Sequence, residues 1–98
     1  MTQKFEYEIV HPYQEKINRQ KDFLDIEVRL GERVYRGSVT TTENIRERLK
    51  RYRKTGENKN GSYFCAKGTI ILRDLRDETI RNALEDLVER GDLEEFFE

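Results

Sequence analysis

The chain has 98 residues, 19 of them basic and 20 acidic, and a length like this accommodates one domain with a single thin core and excludes a second. Charged residues make up 40% of it, yet 25 residues are Leu, Ile, Val or Phe and the net charge is only -1, which excludes the profile of a disordered chain. No stretch approaches the roughly 18 apolar residues of a membrane span, MTQKFEYEIV has no apolar signal core, and the lone Cys65 cannot form an internal disulfide, so the expected setting is soluble and cytoplasmic.

In chain order, Phe5, Tyr7 and Ile9 alternate with Glu6 and Glu8, the period-two pattern of a half-buried strand that stops at His11-Pro12. Tyr13 to Asp22 reads as a polar connection with only Ile17 to bury. Leu24, Ile26, Val28 and Leu30 then alternate with charged residues, and Gly31-Glu32 suits a type II′ turn returning the chain through Arg33 to Val39. That turn pairs Leu30 with Arg33, Val28 with Tyr35, Ile26 with Gly37 and Leu24 with Val39, and so predicts which face is core. Thr40-x-x-Glu43 matches a capping box, opening a helix that runs to about Lys54 and stops at Gly56.

The loop GENKNG follows, its glycines and asparagines marking the segment expected to be most mobile. Tyr63 to Leu72 returns to β-type residues around Lys67-Gly68, either one bulged strand or two short strands, of which the second is the preferred expectation. Ile80, Ala83, Leu84, Leu87 and Val88 form a wide apolar stripe on a core helix ending at Gly91, and Asp92 with Glu95 can start one more turn carrying Phe96 and Phe97. The expected architecture is a single α+β domain over residues 1–98. It is a two-layer sandwich of a mostly antiparallel sheet of four to five strands with two helices, in the order β-β-β-α-β(β)-α.

One feature stands out chemically. RERLKRYRK, Arg46 to Lys54, places Ile45, Leu49 and Tyr52 on a narrow stripe, with Arg46, Lys50, Arg51, Arg53 and Lys54 spread over the rest of the helix. Thr40 to Lys54 carries +4, whereas Asp74 to Glu98 has ten acidic and three basic residues, a balance of -7. Charge segregated in this way serves steering, a docking partner, or two segments that neutralise each other once folded. The expected function is therefore a small protein-interaction module whose partner is an acidic protein surface or a second copy, with those five cations as contacts. The alternative is a nucleic-acid-binding accessory protein using the same residues. Against it, no second helix frames a helix-turn-helix, and Tyr63 and Phe64, adjacent on an expected strand, point to opposite faces.

Other chemistry is poorly supplied. Gly56 to Ser62 has the outline of a phosphate loop but lacks its lysine and precedes a strand, not a helix. One histidine and one cysteine cannot close a zinc shell, so no metal or cofactor is expected. A Cys65–His11 nucleophile and base pair is set aside because Cys65 reads as an inert strand residue, and the carboxylates Glu85, Glu89, Glu94 and Glu95 fall on polar surfaces where nothing raises their pKa. The chain is not expected to be an enzyme.

Overall fold

Alternating hydrophobicity produces the three strands that the sequence predicts. In the computed structural model, which describes residues 4–10 and 22–98, β1 spans Phe5–Ile9, β2 Leu24–Leu30 and β3 Arg33–Thr41. The helix α1 (Thr42–Thr55), a short turn α2 (Glu57–Gly61), β4 (Thr69–Leu72), α3 (Asp77–Arg90) and a last turn α4 (Leu93–Phe96) complete an α+β chain. The expected connection over Tyr13 to Asp22 and the residue His11 lie outside the described residues, apart from Asp22 itself.

The sheet order is β1-β2-β3-β4. The expected hairpin is present in the expected register, Leu24 to Val39, Ile26 to Gly37, Val28 to Tyr35 and Leu30 to Arg33. β1 adds antiparallel to β2, with Tyr7 opposite Val28 and Ile9 opposite Ile26. β4, however, lies parallel to β3, from Ser38 opposite Thr69 to Thr41 opposite Leu72, so the sheet is mixed. Parallel neighbours need a crossover, and α1 with α2 supplies it. That pairing also corrects two local expectations. Thr40 stays in β3, fully buried, with its hydroxyl donating to the Asp22 carbonyl at 3.1 Å, and Thr41 becomes the cap, accepting from the Asn44 amide at 3.1 Å. Tyr63 to Ala66 forms no strand, and a single four-residue strand replaces the expected pair because β4 finds its partner across the crossover and not in a local hairpin.

One face of the sheet carries Leu24, Ile26, Val28, Tyr35, Val39 and Leu72, and these cluster with Ile80, Leu84 and Val88 of α3 and with Leu75, Leu93 and Phe97. The α3 stripe is the one its spacing predicts, and the helix ends at Gly91 as expected. Tyr7 fastens β1 to this helix: its hydroxyl donates to Asp77, while the Arg81 guanidinium sits 5.1 Å over its ring and reaches Asp77 at 2.9 Å.

The last turn folds onto the chain's own sheet. Phe97 is 2% exposed and its ring lies against Gly37, where a Cβ would come within 2.2 Å of it, so only glycine admits it. Glu98 exchanges backbone hydrogen bonds with Arg36 at 2.6 and 3.0 Å, filling the stretch of the β3 edge beside β4. Phe96 remains half exposed.

Candidate docking surface

α1 is held at its ends more than along its length. Thr41 caps it at the start, and Gly56 closes it with φ +85° and a backbone N–H that donates a hydrogen bond to the Tyr52 carbonyl at 2.8 Å. Arg53 and Lys54 lie in the last turn, where a positive charge complements the helix dipole. Between these ends α1 has no buried residue: Ile45, Leu49 and Tyr52 are only partly covered. The expected apolar stripe therefore exists but is not sealed into the core.

The loop GENKNG is folded against this helix. Asn58, Lys59 and Asn60 take successive left-handed dihedrals with φ between 47° and 60°, a conformation in which Asn is among the tolerated residues and Lys is not favoured. Gly61 follows at φ +80°, and a Cβ there would sit 2.2 Å from the Leu49 carbonyl oxygen, so this turn touches the α1 backbone directly. Beyond it, Phe23 and Phe64 meet edge to face at 6.5 Å, and Arg48 lies over the Phe23 ring at 4.9 Å and the Phe64 ring at 5.8 Å while its Nε donates to Asn44 at 2.8 Å. Arg48 thus serves as an anchor for α1. Its position beside the Ile45–Leu49–Tyr52 stripe was the available signal, but its aromatic partners come from distant segments that no spacing rule connects.

The other cations behave differently. Arg46, Lys50, Arg51, Arg53 and Lys54 are all exposed, and none forms an ion pair with a carboxylate of the described residues. The acidic segment is engaged elsewhere. Glu94 meets Arg33 at 3.5 Å, Glu98 meets Lys67 at 3.3 Å, and Asp77 and Asp86 pair along α3 with Arg81 and Arg90 at 2.9 and 3.2 Å. Mutual neutralisation of helix and acidic segment is therefore not how these charges are used.

On the sheet's outer face the described polar groups are paired with one another. An open concavity of about 720 Å³ is lined by residues including Asp25, Glu27, Arg36, Ser38, Lys67 and Glu98. Its carboxylates are held: Glu27 by Arg36 at 3.4 Å and Arg29 at 3.6 Å, and Asp25 by the Ser38 hydroxyl at 2.8 Å. Cys65, expected to be buried in a strand, is exposed in irregular backbone. Among the described residues no three His, Cys, Asp or Glu side chains converge to hold a metal ion, and no helix is long and apolar enough to cross a membrane. Comparison with protein-family models, curated proteins and solved structures returns no match to this chain.

Proposed function

We propose that the protein is a small non-catalytic interaction module, a two-layer α+β frame that presents α1 to an acidic protein surface. The carrying observation is that Arg46, Lys50, Arg51, Arg53 and Lys54 stand exposed with no ion pair to the described carboxylates, although the chain has ample acid. The partly covered Ile45, Leu49 and Tyr52 beside them add apolar area that a protein partner can cover and a phosphate backbone cannot. The -7 balance of residues 74–98 works against a polyphosphate approaching the rest of the molecule. The exposed thiol of Cys65 fits a reducing compartment such as the cytoplasm.

A second reading, a nucleic-acid-binding accessory protein using the same five cations, draws on Tyr63, 52% exposed next to the Phe23–Phe64–Arg48 cluster, as a stacking surface. Fluorescence anisotropy separates the two. A labelled peptide of alternating Glu and Leu is expected to bind and to be lost when the five cations become alanine. If an oligonucleotide of equal charge binds tighter, and its salt slope shallows with each cation removed, the second reading replaces the first.

A further inference from the structure

Resting on the docking role of α1, we infer that the acidic surface it fits is the solvent face of α3 on a second copy of this chain. α3 buries Ile80, Leu84 and Val88. At about 100° per residue, Glu78, Asn82 and Glu85 fall together on the solvent side, centred about 125° round the helix from those three. All three are exposed, and neither Glu78 nor Glu85 is ion-paired with a described residue, because the neighbouring Asp77 and Asp86 are the ones taken by Arg81 and Arg90. α1 repeats the same i, i+4, i+7 spacing in the opposite sign with Arg46, Lys50 and Arg53. Both ridges therefore set their outer charges about 10.5 Å apart. Laid side by side, they match Arg46 and Arg53 to the two carboxylates, with Lys50 facing the Asn82 amide.

No ion pair joins the two ridges within one chain. Two copies related by a two-fold axis can make the contact twice, α1 to α3 and α3 to α1, which closes the assembly as a dimer and leaves neither ridge over. Exposed ion pairs are individually weak, so this dimer is expected to be concentration-dependent and sensitive to salt.

Sedimentation velocity on the full chain tests this with matched charge reversals. The wild type is expected to dimerise at about 50 mM salt, with its dissociation constant rising at least about tenfold at about 500 mM. Arg46→Glu with Arg53→Glu, and separately Glu78→Lys with Glu85→Lys, should each give a monomer. Mixed in equal amounts they should form a heterodimer, since one contact is then the wild-type pairing and the other carries it with signs exchanged, a result that a merely structural role for these residues does not produce. Unchanged circular dichroism and melting temperature certify each fold, and Glu78→Gln with Glu85→Gln, expected to weaken the dimer, replaces the lysine variant if that one unfolds. A monomeric wild type up to about 1 mM, a dimer that survives the α3 reversal, or a mixture that stays monomeric overturns the inference. The α3 variant keeps α1 intact and should still bind the Glu–Leu peptide. A wild type that binds the peptide yet stays monomeric thus sinks this inference alone, whereas failure of the wild type to bind the peptide sinks the docking role itself.

Discussion

At the scale of single residues, two contacts carry tests that no sequence pattern suggests. Phe97 lies on Gly37, so Gly37→Ala forces the ring off the sheet and should lower stability by about 1–3 kcal/mol, as overpacking does. Phe97→Ala should cost about 3–5 kcal/mol by leaving a cavity. Urea denaturation of the double variant should show strong coupling, because once the ring is gone the added methyl group meets open space. Asp74 gives a pH signature. The Thr79 hydroxyl, then the Arg76 amide at 3.0 Å, and to a lesser degree the charges of Arg76 and Arg73, hold its carboxyl below the ordinary aspartate range. A carboxyl depressed in the folded state contributes stability that is present above its unfolded pKa and is lost as the pH falls through its folded one. Thr79→Ala should therefore raise the Asp74 midpoint seen by NMR and flatten the fall in stability on the acid side of the usual aspartate pKa.

At the scale of elements, α1 and α3 are equal in length and opposite in how they are held. Three residues of α3 are buried and none of α1, so α1 depends on its cap, on Arg48 and on the Gly61 contact. Native-state hydrogen exchange should show α1 amides opening at a lower free energy than those of β2, β3 and α3. Thr41→Ala should cost about 1 kcal/mol through the lost cap. Gly61→Ala should speed exchange across α1 selectively, because it places a methyl group into the Leu49 carbonyl at a left-handed φ. The spans of α1 and α3 were legible in the sequence to within about a residue or two, since helical periodicity and terminal glycines are local signals. The cap was misplaced by one residue, from Thr40 to Thr41, because where β3 ends depends on its pairing with β4, thirty residues along the chain.

At the scale of the whole molecule, charge is sorted by location as well as by sequence. Asp77 and Asp86 of α3, Glu94 of α4 and Glu98 find cations on α3 itself, on β3 and beside β4, while the α1 flank is left to the solvent. The predicted consequence is a surface whose interactions fade with salt, and alanine replacement of Arg46, Lys50, Arg51, Arg53 and Lys54 should change association while moving the melting temperature little, since these exposed side chains make no pair with a described acid.

The strand register of β2 and β3, the core face of α3 and the cationic composition of α1 were all readable from residues alone. Each follows from a period or turn within about a dozen neighbours, and burial demands that period whatever the rest of the chain does. The parallel placement of β4, the seat of Phe97 on Gly37, the Phe23–Arg48–Phe64 cluster and the failure of acid and base segments to meet were decided only in three dimensions. These are contacts between remote segments, set by which surfaces remain after the local elements have formed, and no local pattern encodes that remainder.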